Sequence, residues 1–257
     1  MTILLRDTAQ QHRQQGPPVP AAAVSEAGGP VRRAALVAGA GLVLMSVLAG
    51  FSNLVVLEGL VTPGEAARTA ADIGASEGTF RLGVAGLYLV VVLDVVVAWA
   101  LFRVFSPVNR DVSRLAAWFR LAYSGVFLVA VSQLAGIPDL LNSDSYSTAF
   151  TPEQLQAQVL LKTETFTDIW MAGLVLFGVH LVIIGHLAHR SGYVPRVLGV
   201  LLVIAGAGYG FDSFVSVLSA GSPFAVSTVT FLGEFLLALW LLARGRRIRV
   251  EVDGHGI

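Results

Sequence analysis

The chain contains no cysteine, and only 13% of its 257 residues are charged. Without cysteine, a disulfide scaffold, thiol chemistry and iron–sulfur clusters are excluded. Soluble domains carry about 25% charged residues, so much of this exterior does not face water. The 17 basic residues equal the 17 acidic ones, which argues against a nucleic-acid binder. With 55% hydrophobic residues and a mean hydropathy of +0.73, the composition predicts an integral membrane protein.

Long apolar runs predict an all-α polytopic membrane fold. A helix needs roughly 20 apolar residues to cross about 30 Å of hydrocarbon, and continuous runs of this length disfavour a β-barrel. Six runs qualify: Ala34 to Leu57, Leu82 to Phe102, Leu121 to Leu141, Ile169 to Ala188, Val197 to Leu218 and Phe224 to Ala243. We therefore predict three parts of the chain. Residues 1–33 form a disordered cytoplasmic tail, 34–243 a domain of six transmembrane helices, and 244–257 a basic cytoplasmic tail.

The distribution of basic residues predicts the orientation. Cations collect on the cytoplasmic side of membrane proteins, and 14 of the 17 fall on one side of the predicted spans. That side includes Arg120, which is assigned to the loop before the third span. The other side keeps Arg68, Arg81 and Lys162. Both termini are therefore expected in the cytoplasm.

Two segments on the external side match the helix-initiating capping box, in which Thr is followed three residues later by Glu or Gln. They begin at Thr62 and Thr151, and each has proline next. The first predicts a short helix from about Pro63 to Ser76. Ala66, Ala70 and Ile73 would share one face, as in a helix lying on the outer membrane surface.

Several motifs resemble a bacterial multi-pass membrane family, domain of unknown function 4386, over about residues 33–243. They are Arg81-Leu82-Gly83, Ser106-Pro107-Val108-Asn109, the segment Phe150 to Ala157, the run Ser191 to Leu202, and Ala205 to Tyr209 continuing to Asp212-Ser213-Phe214. The resemblance implies a six-helix fold and a bacterial source, hence the plasma (inner) membrane. It implies no activity.

Acidic residues within the spans are the first candidates for a site. Asp94, Asp212 and Glu234 interrupt apolar runs, and ionisable groups in a span normally face the bundle or a cavity. They could line a pathway for a proton, a cation or a polar ligand. Alternatively, each is protonated or hydrogen-bonded to a neighbouring helix and only fixes packing.

A second group is expected at the outer mouth: Glu58, Arg81, Asp139, Glu164 and Asp168. Glu164 and Asp168 are four residues apart and share a helix face, so they could bind a cation or share a proton. Arg81 is expected to pair with one of these acids. The alternative is a solvated helix end without a site.

No cofactor or metal site is predicted. His180 and His186 do not share a helix face, and His186 and His189 lie near Arg190, so the histidines are expected at the membrane interface. Gly206, Gly208 and Gly210 lie inside a span without the preceding strand of a dinucleotide site, and predict close helix packing instead. Neither a GxSxG nor a DDxxD motif is present.

Three functions remain open. The preferred one is a membrane protein of unknown activity that binds or passes a small ligand through an acidic, outward-facing cavity. The ligand-binding candidates are Glu58, Arg81, Asp139, Glu164, Asp168, Asp212 and Glu234. The alternatives are an enzyme acting on a lipid or isoprenoid by carboxylate acid/base chemistry, and a structural or signalling protein. Membrane lipids are the expected partners, and a small-molecule or lipid ligand is a candidate. The sequence does not indicate an oligomeric state.

Overall fold

A computed structural model describes residues 21–218 and 227–248, which contain helices and no strand. The helices are α1 (Ala21–Gly50), α2 (Ala66–Ala75), α3 (Glu77–Phe105), α4 (Arg110–Ala135), α5 (Ile137–Asn142), α6 (Asp144–Ala149), α7 (Pro152–Arg190), α8 (Arg196–Leu218) and α9 (Ser227–Arg244). After Gly50, α1 continues through a π-helical segment, Phe51–Leu57, and a helical turn, Glu58–Leu60. The predicted all-α class is confirmed for the described residues.

Within the described ranges, five helical segments are long and apolar enough to cross a membrane: Gly29–Leu60, Glu77–Phe105, Arg110–Asn142, Pro152–Arg190 and Arg196–Val215. The sixth predicted span, Phe224 to Ala243, falls partly outside the described residues, and its described part belongs to α9. The count of six spans therefore stays a prediction. The first helix begins at Ala21 rather than Ala34, and residues 1–20 and 249–257 of the predicted tails lie outside the described ranges.

The six long helices form a closed ring. Each packs against the next along the chain, in the order α1, α3, α4, α7, α8 and α9, and α9 packs back against α1. Consecutive helices run in opposite directions, so α2, α5 and α6 gather at one end of the ring. We call this the short-helix end, and the basic-residue rule predicts that it is external.

Glycines set the closest contact in the ring, between α7 and α8. A Cβ atom added at Gly178 would lie 2.6 Å from the carbonyl oxygen of Gly206, and one added at Gly185 would lie 2.6 Å from that of Gly199. Only glycine allows backbones to approach this closely. The predicted packing role is confirmed for Gly206.

The π-helical segment packs tightly against α3. The hydroxyl of buried Ser52 donates a hydrogen bond to the Gly83 carbonyl at 2.8 Å, and a Cβ at Gly86 would lie 2.9 Å from that hydroxyl. Single-turn π-helical insertions occur frequently at functional sites. This one carries Asn53, which lines the cavity described below.

The two predicted capping boxes have different outcomes. The box at Thr151 is confirmed, with Gln154 as its partner. The box at Thr62 is wrong: α2 begins at Ala66, after Gly64 at a φ of 77°. The hydroxyl of Thr69 instead bonds the backbone N–H and carbonyl of Thr62. The short helix exists and buries Ala70 and Ile73, while its place on the membrane surface stays a prediction.

Candidate functional site

A buried ion-pair cluster lies inside the ring. The Arg120 guanidinium donates to Oδ1 of Asp94 from Nε at 2.8 Å and from Nη2 at 2.7 Å, and to Oε1 of Glu234 from Nη1 at 3.1 Å. The Arg120 and Asp94 side chains are each 1% exposed, and that of Glu234 is 15% exposed. The cluster joins α4, α3 and α9, so it forms only when the ring closes.

His180 on α7 completes the cluster, and its contacts define its tautomer. Nδ1 lies 2.8 Å from the Ala116 carbonyl oxygen, which can only accept, so Nδ1 carries the proton. Nε2 is then an acceptor, and it lies 3.3 Å from Nη1 of Arg120. His180 is therefore a neutral, fully buried partner of the guanidinium.

The cluster has more acid than base. Asp94 and Glu234 face the single guanidinium of Arg120 on the cavity wall, which gives a formal charge of −1 when all three are ionised. The Ser124 hydroxyl lies beside the Asp94 carboxylate and can donate a hydrogen bond to it. Buried polar atoms usually have a partner, and Ser124 is the partner available to Asp94.

Five aromatic side chains from three helices form a continuous wall next to the cluster. Tyr123 contacts Phe127 and Phe177 at centroid distances of 5.8 and 4.8 Å. Phe127 contacts Trp170 at 5.9 Å, and Phe177 contacts Tyr209 at 5.6 Å. We call these five residues the aromatic wall. The indole N–H of Trp170 donates to the Tyr123 hydroxyl at 3.1 Å, which fixes both rings.

The three charged residues of the cluster and the aromatic wall line a cavity of about 140 Å³. All six long helices contribute to it, with the opposite wall supplied by Leu42, Met45, Ser46, Ala49 and Asn53 of the first span. From Leu42 to Asn53 the cavity covers about 16 Å of helix. It therefore extends from the middle of the bundle toward the short-helix end.

A second cavity, of about 210 Å³, continues in the same direction. It is lined by Glu58, Val61, Thr163 and Thr167, among others, and it shares Asn53 and Trp170 with the first cavity. These two side chains stand at the boundary between the cavities. The second cavity ends beside Pro63, in the loop before α2.

The predicted intramembrane acids all lie inside the bundle. Glu234 and Asp94 belong to the cluster. Asp212 is 4% exposed, and Tyr209 lies within electrostatic reach of both Asp212 and Glu234.

The predicted outer group does not join the cluster. Glu58 lines the second cavity. Asp139, Glu164 and Asp168 are exposed, whereas Asp212 is buried. The expected pairing of Arg81 with one of these acids is wrong, because Arg81 pairs with Glu77 at 2.6 Å on its own helix.

Two residues of the cluster were misplaced by the sequence-based prediction. Arg120 was assigned to a loop and His180 to the interface, yet both are buried. When Arg120 is left out, thirteen basic residues remain on the predicted cytoplasmic side and three on the other, so the predicted orientation is unchanged. The missed signal is periodicity: Arg120, Tyr123 and Phe127 share one helix face, as do Phe166, Trp170, Phe177 and His180.

The arrangement suits binding in a polar and aromatic pocket. Pockets that bind small molecules combine apolar and aromatic walls with a few placed polar groups, which the cavity has. In the described ranges, no three His, Asp or Glu side chains are grouped so that they could hold a metal ion. The charged groups on the wall, Asp94, Arg120 and Glu234, can form hydrogen bonds and ion pairs.

Comparisons with known proteins identify relatives of this chain. The family model described as Domain of unknown function (DUF4386) matches residues 37–245. An uncharacterized protein of Archaeoglobus fulgidus is 32% identical over 170 residues, which cover 66% of this chain and 88% of the relative. No solved structure matches the chain significantly.

Proposed function

The chain belongs to the family described as Domain of unknown function (DUF4386), as its motifs predict, and we propose that it is a membrane protein that binds a small ligand in the cavity inside its helix ring. We further propose that it lies in a bacterial plasma membrane with six spans. Both termini would be cytoplasmic, so the short-helix end would face outward.

One observation carries the ligand-binding proposal: the charged cluster lines a cavity to which every long helix contributes. Ionisable groups within spans are costly, and they generally mark ligand or ion pathways. If the cluster served only to pack the helices together, all of its side chains would be expected to be fully buried. Here Glu234 is still 15% exposed, and it faces the cavity.

The second cavity supports entry from the short-helix end. Its lining carries Glu58, Thr163 and Thr167, which are polar enough to admit water. A ligand entering there would pass between Asn53 and Trp170 to reach the aromatic wall. The two cavities together would form the acidic, outward-facing cavity that the sequence predicts, with Glu234 at its inner end and Glu58 near its mouth.

The proposal can be tested with a variant in which a larger side chain fills the cavity, because ligands should then no longer stabilise the protein. Ala49 lines the cavity, whereas Val47 is 63% exposed on the outer side of the same helix. Thermal unfolding of the full-length protein in detergent would be measured with small organic cations, neutral molecules and anions. We expect at least one probe to raise the Tm of the wild type and of Val47→Phe, but not of Ala49→Phe. If no probe acts, or if Ala49→Phe responds equally, the proposal is overturned.

A further inference from the structure

We propose that the ligand is a small organic ammonium ion, held between the aromatic wall and the carboxylate of Glu234. This inference rests on the proposed function, since it assigns the chemical class of a molecule bound in the same cavity. Three features of the cavity carry it: its charge, its aromatic faces and its size.

The charge balance favours a cation. Asp94 binds the Arg120 guanidinium through two N–H groups that both reach Oδ1, and this pair neutralises the arginine. Glu234 contributes a further negative charge, and only its Oε1 is engaged by Arg120. Because an uncompensated charge in a low-dielectric site is costly, a ligand with one positive charge is stabilised there. An anion would have to displace a carboxylate from Arg120.

The aromatic wall supplies the faces that bind organic cations. Cations are attracted to the faces of Trp, Tyr and Phe rings within about 6 Å of the centroid. The wall already binds one cation in this way, because the guanidinium carbon of Arg120 lies 5.3 Å from the centre of the Phe177 ring. Tyr209 lies within electrostatic reach of Glu234, and Trp170 lies at the boundary with the second cavity. Both offer further rings to a second cation.

The size of the cavity and its lining side chains favour an organic cation over a bare divalent metal ion. An apolar cavity of about 150 Å³ binds benzene, so a cavity of about 140 Å³ suits a ligand of similar size. Metal ions such as Mg²⁺ and Ca²⁺ require about six oxygen ligands. The described cavity wall instead presents five aromatic rings and two carboxylates, which suits alkyl groups around a positive nitrogen.

Matched probes test the charge requirement. Choline and 3,3-dimethyl-1-butanol have the same shape and differ by the charge, tetramethylammonium is a smaller cation, and trimethylacetate is an anion. Calorimetric titration of the full-length protein in detergent should give choline an affinity at least ten-fold higher than that of 3,3-dimethyl-1-butanol. Trimethylacetate should bind more weakly than either.

Substitutions test whether Glu234 is the source of the preference for the charged probe. Glu234→Gln should lower choline affinity at least ten-fold and change the affinity of 3,3-dimethyl-1-butanol less than two-fold, whereas exposed Glu153→Gln should change neither. Should Glu234→Gln fail to fold, Tyr209, which lies near Glu234 and lines the cavity, provides a second test. Tyr209→Leu removes the ring face and should lose choline binding, while Tyr209→Phe should retain most of it.

The outcomes separate this inference from the proposed function. If 3,3-dimethyl-1-butanol or trimethylacetate binds as tightly as choline, the ammonium class is wrong, although a ligand-binding cavity stands. If Tyr209→Leu and Tyr209→Phe bind choline equally well, the aromatic wall is not the site and the inference is overturned. If the wider probe panel with Ala49→Phe also gives no response, the proposed function itself fails.

Discussion

Arg120 on α4 and Asp94 on α3 form a fully buried ion pair, in which Nε and Nη2 of the guanidinium both bind Oδ1 of the carboxylate at 2.8 and 2.7 Å. Arg120 lies about 15 Å along its helix from Arg110, so the pair is deep in the bundle. With Glu234 and His180 it connects four helices of the ring. The pair therefore both holds the helix ring closed and forms part of the wall of the cavity.

Removing Arg120 should destabilise the fold strongly. Arg120→Met leaves Asp94 and Glu234 buried without a counter-charge, and breaking a buried pair costs about 3–5 kcal/mol. Arg114→Met is the control, because the Arg114 side chain is 42% exposed and pairs with Asp111 at 3.6 Å, a type of contact worth at most about 1 kcal/mol. Reversible unfolding in mixed micelles measures both. Equal effects of the two substitutions would contradict the buried pair.

His180 should contribute as a neutral hydrogen-bonding group. His180→Phe removes the acceptor for Arg120 and the donor to the Ala116 carbonyl, so a loss of about 1–3 kcal/mol is expected. His186 lies on the same helix and is exposed, and His186→Phe should change the stability by less than about 0.5 kcal/mol. If the two variants unfold alike, His180 does not have the role assigned to it.

The contact between α7 and α8 should not tolerate a methyl group. Gly178→Ala brings Cβ to 2.6 Å from the backbone carbonyl oxygen of Gly206, and such overpacking costs about 1–3 kcal/mol. At Gly125 of α4, no atom lies within 4 Å of an added Cβ. Gly125→Ala should gain up to about 1 kcal/mol from helix propensity. Opposite signs in thermal unfolding are thus expected, and a stable Gly178→Ala protein would show that the helices lie further apart.

The loop before α2 should depend on Thr69 rather than on Thr62. Thr69→Val removes the buried hydroxyl that bonds the N–H and the carbonyl of Thr62, at a cost of about 1–3 kcal/mol. Thr62→Val keeps both backbone groups and should be nearly neutral. Hydrogen–deuterium exchange of residues 62–70 measures the local effect. If Thr62→Val increased the exchange more than Thr69→Val did, the result would contradict this account and support the capping box predicted from the sequence.

Local patterns predicted much of the fold, whereas the cluster depends on contacts between distant segments. The apolar runs located the spans, and the Thr151 capping box was predictable because its residues are neighbours in sequence. Arg120 was misplaced because a hydropathy criterion ends an apolar run at any guanidinium. Its burial becomes favourable only through Asp94 and Glu234, which lie 26 and 114 residues away.

The candidate site was predictable in part for the same reason. Asp94 and Glu234 stand out because each interrupts an apolar run, and an acid there must face the bundle interior. The aromatic wall gives no such signal, since tyrosine, phenylalanine and tryptophan also occur on lipid-facing and interfacial surfaces. Which aromatic side chains contact one another depends on which helices are neighbours in the bundle.

The most direct test of the central claim, a water-accessible ligand cavity in the middle of the bundle, is thiol labelling in membranes. The chain has no cysteine, so single variants report without background. Ser46 lines the cavity, and adjacent Val47 is 63% exposed on the outer face of α1. A membrane-impermeant thiol reagent added outside should modify Ser46→Cys, because a thiol in water can ionise and react, and should leave Val47→Cys unmodified. Unreactive Ser46→Cys, or equal labelling of the two variants, would contradict the cavity.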